Sequence, residues 1–145
     1  MRKTLIERAG DARAVSFLAE VPDPDPAAVE GSKVPNRISN SFVLTGYSAG
    51  SFQMPDDFDG SEVTVQVTNV ELIENGLLSG GPDPSTFVDL VDYDANAAGD
   101  AYPAIAVGAG EARHLWERAF SFRWARLVSD VDQTVDTKVL VNLVS

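Results

Sequence analysis

Three features of the chain hold residue types that could do chemistry. Gly46-Tyr47-Ser48-Ala49-Gly50 matches G-x-S-x-G letter for letter, and His114, in EARHLWER, is the sole imidazole that could serve a serine as base. That motif acts as a nucleophile elbow only where a strand turns sharply into a helix of an α/β sheet. Here the following residues, SFQMP, read as another short strand, so a turn of small residues is expected and catalysis is not. The second stretch runs from Asp92 to Asp100. Asp92, Asp94 and Asn96 place oxygens at positions 1, 3 and 5 of a calcium loop, and Asp100 adds a further carboxylate. Ala97 stands where such a loop needs glycine and Pro103 where it needs glutamate, which excludes an EF-hand. Calcium held with the help of backbone carbonyls is the one cofactor left open. Finally, a chain with 22 acids can always supply two carboxylates for glycoside hydrolysis, but no pair is singled out. Tyr47, Tyr93, Tyr102, Trp116 and Trp124 could form a sugar-stacking face, although the alternation around Trp124 assigns that ring to the core.

The elements that would position these residues read as strands. SEVTVQVTN alternates Val63, Val65 and Val67 with Thr64, Gln66 and Thr68, the β-branched pattern of a half-buried strand. Phe42 with Leu44 and Phe52 with Met54 mark two shorter strands, and Phe58 turns inward from the turn PDDFDG. A long loop, Val70 to Ser85, carries NG and GGPDP breakers, and its VELIENGLL suits a small hairpin or a helical turn. TFVDLVDYD and YPAIAVG are further strands, and GEARHLWERAF suits a helical turn or an irregular crossover. The end, Ala119 to Ser145, is expected to close the fold as a hairpin. Phe120, Phe122, Trp124 and Val128 then share one face, with Leu127 an apolar exception opposite, and the returning strand buries Val135, Val139, Val141 and Leu143. About seven strands without βαβ alternation give an all-β fold, an antiparallel β-sandwich of jelly-roll-like type.

Composition sets the remaining bounds. The 145 residues suit one domain, and the absence of cysteine excludes disulfides and zinc–thiolate sites. No apolar run nears the roughly 20 residues of a membrane helix, and Glu7, Arg8, Asp11 and Arg13 interrupt any leader, so neither a membrane span nor a signal peptide is expected. Net charge is −11, and between Ile38 and Ala112 twelve acids occur without one Lys or Arg. Such a surface repels phosphate, which argues against direct nucleic-acid binding. Before it, residues 1–36 read as an extended arm built around PDPDPAAVEGSKVP, since alternating prolines favour extended backbone. Phe17, Leu18 and Val21 are apolar for a free tail and suggest an assembly arm that docks on a neighbour, ahead of a β-sandwich domain at residues 37–145.

Whole segments carry a resemblance. Met54-Pro55 followed by Phe58, the strand Val63 to Thr68, Tyr93-Asp94, and Phe122-Arg123-Trp124 running to Ser129 resemble small accessory virion proteins of tailed bacteriophages, over roughly Ser39 to Ser145. Members are similar to jelly rolls or galactose-binding-like sandwiches and serve as structural components of the particle. The loop from Val70 to Ser85 is longer than the family's short turn, and the arm is an addition. The resemblance implies a non-enzymatic capsid decoration, cement or head-spike-base protein. Its partners would be capsid or other virion proteins and its own copies, with a trimer expected, and it would assemble in the host cytoplasm into the virion. The alternative is a carbohydrate-binding accessory module of a phage tail or neck. A small hydrolase built on Ser48 and His114 is the third reading.

Overall fold

Val63, Val65 and Val67 are buried, as their alternation requires, and the strand that carries them is the spine of one of two packed sheets. The computed structural model describes residues 11–17, 37–92, 100–101, 104–131, 133 and 137–145, with backbone alone at Val91, Asp92, Asp100 and Ala101. Its strands in chain order are β1 (Asp11–Ser16), β2 (Phe42–Val43), β3 (Ala49–Gln53), β4 (Glu62–Thr68), β5 (Glu71–Glu74), β6 (Leu77–Pro82), β7 (Val88–Asp89), β8 (Val91–Asp92), β9 (Asp100–Ala101), β10 (Ile105–Ala106), β11 (Ala112–His114), β12 (Trp124–Ser129) and β13 (Lys138–Val144). One sheet has the order β1-β13-β3-β11. The other has β10-β4-β12-β2, with β7 also paired to β4. The pairings are antiparallel, and the sheets pack on each other as a β-sandwich. Phe52, Val141 and Leu143 from the first sheet meet Val65, Val67 and Leu127 from the second in one core cluster.

The last two long strands do not form the expected hairpin. β12 pairs with β4 and β2, whereas β13 pairs with β1 and β3, so the chain crosses between sheets after Ser129. Buried polar side chains hold this crossover. Gln133 Oε1 accepts from the Asp59 amide at 3.1 Å and from Thr137 Oγ1 at 3.2 Å. Gln133 Nε2 donates to Ser129 Oγ at 2.9 Å and to the Val131 carbonyl at 3.2 Å. Beside it, the Asp130 carboxylate accepts from Ser61 Oγ at 2.7 Å and from the amides of Ser61 and Glu62 at 3.0 and 3.3 Å. A two-residue turn could not place these groups, and a hairpin would leave them unpaired in the interior.

The face assignment of β12 also inverts. Ala125 and Leu127 point into the core opposite Val67 and Val65, while Trp124, Arg126 and Val128 lie on the outer face opposite Thr68, Gln66 and Thr64. A one-residue shift in register exchanges every side chain, and the charge of Arg126 decides the matter once its neighbours are known. Trp124 is buried, but outside the core cluster, with the Arg123 guanidinium 4.2 Å from its ring centroid. Phe120 lies in a 3-10 turn, Glu117–Ser121, and it and Phe122 pack against the core from its margin.

At the other end of the chain, part of the expected arm belongs to the sandwich. β1 pairs along its whole length with β13, from Asp11 opposite Leu143 to Ser16 opposite Lys138, and Phe17 is fully buried against Phe58. The boundary expected at residue 37 therefore fails for Asp11 to Phe17. Alternation of Arg13, Val15 and Phe17 supplies an inward row, and Phe17 fills the core instead of reaching a neighbour. Leu18 and Val21 lie outside the described residues.

Three outcomes follow from this geometry. Gln133→Leu removes the four hydrogen bonds of a buried amide and is expected to cost on the order of 2–4 kcal/mol in urea unfolding. A Cβ at Gly60 would sit 2.5 Å from both Asp130 Oδ1 and Phe58 Cζ, so Gly60→Ala is expected to lower stability by about 1–3 kcal/mol. Burial pushes the Asp130 carboxyl up, but the hydrogen bonds from Ser61 and Glu62 outweigh it and hold the group below its ordinary value. The folded state then binds fewer protons than the unfolded one between the two values. The contribution is present above about pH 4 and is lost as pH falls through the depressed value, so Asp130→Asn should flatten the acid limb of a Tm–pH profile.

Candidate functional site

The long loop expected between Val70 and Ser85 is a hairpin that stands out from the sandwich. Asn75 and Gly76 have φ of 52° and 77°, the positive pair that a two-residue turn of the type I′ kind demands. Ile73 faces Leu78 across the ladder and Glu74 faces Leu77, so the tip carries an apolar pair on one face and a mixed pair on the other. These side chains have no cover: Ile73 is 63%, Leu77 73% and Leu78 70% exposed. Three large aliphatic residues at such exposure, close together at the tip, form an uncovered apolar patch on a chain of net charge −11.

The base of the hairpin is clamped. The Asp83 amide donates to the Val70 carbonyl at 2.9 Å. A relay runs from the Val70 amide to Thr68 Oγ1, on to Thr86 Oγ1 at 2.7 Å, and ends on the Asp83 carbonyl at 2.7 Å. Between Glu71 and Ile73 the register shifts around Ser79-Gly80-Gly81, and the Gly80 amide donates to Glu71 Oε2 at 3.0 Å. The other oxygen of Glu71 takes Arg123 at 3.1 Å, and Arg123 lies over Trp124. Further along the same outer face, Arg126 donates through Nε to Gln66 at 2.8 Å, and Gln66 donates to Asp89 at 3.0 Å. Arg126 also covers the Phe87 ring at 4.3 Å, and burial pushes its guanidinium below its ordinary value. A row of polar contacts over β12, β4 and β7 thus stiffens the sheet from which the hairpin rises.

Among the described residues, those named from sequence for their chemistry do not gather into one site. Gly46-Tyr47-Ser48-Ala49-Gly50 connects β2 in one sheet to β3 in the other, and no helix follows it. Gly46 supplies a turn at φ 91°, and Gly50 is small because Phe120 Cζ and Leu143 Cδ2 would lie 3.0 Å from a Cβ there. Ser48 is exposed, and exposed His114 sits opposite Ser51 at the far edge of the sheet. Tyr47 instead anchors β1, since its hydroxyl donates to Asp11 and accepts from Arg13 at 3.0 Å. Asp92 and Asp100 face each other in the β8–β9 backbone ladder, whereas Asp94 and Asn96 lie outside the described residues. Among the described residues no group of three potential ligands gathers for a metal. As for a sugar platform, Arg123 covers Trp124, Arg13 lies over Tyr47, Trp116 packs on the core margin, and Tyr93 and Tyr102 are outside the described residues.

No family model, no curated protein and no solved structure matches this chain. Its candidate site therefore rests on geometry: the hairpin tip, together with an open depression of about 390 Å³ at the edge of the β1–β13–β3–β11 sheet. Gln53, Met54, Pro55, Asp56, Lys138 and Leu140 line it, and Leu140 is 58% exposed. Neither feature was assigned a role from sequence. The alternation in VELIENGLL signals a hairpin, but only the structure shows that no described residue covers its tip.

The clamp makes a specific expectation. Glu71→Gln removes an ion pair whose Arg123 end is exposed, worth about 0.2–1 kcal/mol, so the Tm should move little. Amide exchange at Gly80 and proteolytic nicking between residues 70 and 82 should nevertheless both accelerate.

Proposed function

We propose that this chain is a non-enzymatic structural component of a phage particle, a head decoration, cement or spike-base protein, whose β5–β6 hairpin makes its assembly contact. The observation that carries the reading is the uncovered apolar tip, Ile73, Leu77 and Leu78, held on a clamped base. An acidic body opposes contacts made through its charged surfaces, while an apolar tip gives affinity where a partner excludes water. The virion context comes from the resemblance of the segments Met54 to Thr68 and Phe122 to Ser129. Residues ahead of Asp11 and between Phe17 and Arg37 supply chain length for a second attachment, and several copies on one particle would add avidity without strong single contacts.

Co-sedimentation with particles from the chain's own source tests this. The wild-type chain should pellet at a fixed ratio to the major capsid protein. Ile73→Ser/Leu77→Ser/Leu78→Ser, which changes only exposed side chains, should keep its circular dichroism spectrum and lose at least about tenfold in affinity. A chain absent from the particles, or a variant that pellets like wild type, contradicts the reading.

A further inference from the structure

The hairpin tip and the depression lie at opposite ends of the sandwich. The hairpin follows Thr68, at the C-terminal end of β4, beside Asn69 and Arg123. The depression lies past the end of β3, among the residues that lead to Glu62 at the start of β4, with Lys138 at the start of β13. Seven residues of strand separate those two ends, a length of roughly 20 Å. The two surfaces also match in chemistry. The tip offers Ile73, Leu77 and Leu78 with exposed Glu74 beside the turn, while Glu71 is already paired to Arg123. The depression offers Leu140 and Pro55 as apolar wall, over the buried Met54, and Lys138 as its cation, with Asp56 also in its lining.

The outer face around the depression has a further property. Across four strands its outward row runs Ala14, Leu140, Gln53 and Ala112, and the next row runs Ala12, Asn142, Ser51 and His114. No acid appears in either row, on a chain with 22 of them. A second copy approaching these rows meets neutral side chains, with Lys138 beside them and Asp56 the one carboxylate among the residues that line the depression.

We infer that the hairpin tip of one copy docks into the Leu140–Lys138 depression of the next, so that the chain assembles head to tail. Ile73 and Leu78 cover Leu140 and Pro55, and Glu74 pairs with Lys138. Because the two surfaces differ and sit at opposite ends, the contact is heterologous, and copies close into a ring or run on as a filament according to the rotation between neighbours. This inference rests on reading the hairpin as an assembly contact, and it names the partner.

Sedimentation velocity on the full chain over a range of concentrations reads the contact. The wild-type mass should rise above the monomer as concentration increases. Ile73→Asp/Leu78→Asp at the tip and Leu140→Asp in the depression should each weaken association at least about tenfold while leaving the circular dichroism spectrum unchanged. Mixed one to one, these two variants should form a dimer that grows no further, since one retains an intact depression and the other an intact tip. Glu74→Lys combined with Lys138→Glu should restore association lost in either single reversal. A wild type that stays monomeric at high micromolar concentration overturns the inference, as does a mixture of the two variants that remains monomeric. If the wild type is monomeric and the tip variant still loses particle binding, the head-to-tail contact fails while the assembly reading of the hairpin stands. If the tip variant changes neither, both fail.

Discussion

One amide side chain decides how the two sheets of this protein are joined. Gln133 is buried with all of its polar atoms engaged, and through Asp59, Ser129, Val131 and Thr137 it ties the turn before β4, the end of β12 and the approach to β13 to one point. A buried amide with no partner is costly, and a fully satisfied one is specific, because few other arrangements satisfy it. The Thr137 carbonyl extends the tie to β1 by accepting from the Phe17 amide at 3.1 Å. Strand order in both sheets depends on this crossover, since it sends β13 between β1 and β3 instead of back along β12.

The opposite end of β4 carries a projection. The hairpin of β5 and β6 leaves from the last residue of β4, and a short set of hydrogen bonds around Thr68, Thr86 and Glu71 fixes its base. None of the described residues buries its tip. Polar contacts over β12, β4 and β7 hold the direction of the hairpin, and aliphatic side chains form its exposed tip. The acidic body adds selectivity, because like charge opposes contacts made anywhere but at neutral surfaces.

Much of the fold was legible in the order of the residues. The valines of β4, the inward row Val139, Val141 and Leu143 of β13, and the buried Phe42, Leu44, Phe52 and Met54 follow from alternation alone. Partner choice did not, because β1 and β13 lie more than a hundred residues apart in sequence and nothing local encodes their pairing. Mixed alternation in β12 was the second difficulty. Trp124 and Val128 outweigh Ala125 and Leu127 in bulk, so an apolar count favours the wrong face, and only Arg126 points to the outward one. The candidate surface was half legible: Asn75-Gly76 announces a turn, but the depression draws on three separated segments, 53–56, 110 and 138–140, and could be found only in three dimensions.

The central claim is that a rigid sandwich presents an apolar hairpin tip to another protein. Amide hydrogen exchange on the full chain, dilute and then concentrated or bound to particles, tests it most directly. The account predicts that residues 72–78 exchange fast in the dilute chain and slow markedly on assembly, while β4 and β13 stay protected throughout. Residues 72–78 that exchange equally fast in all three conditions would contradict it.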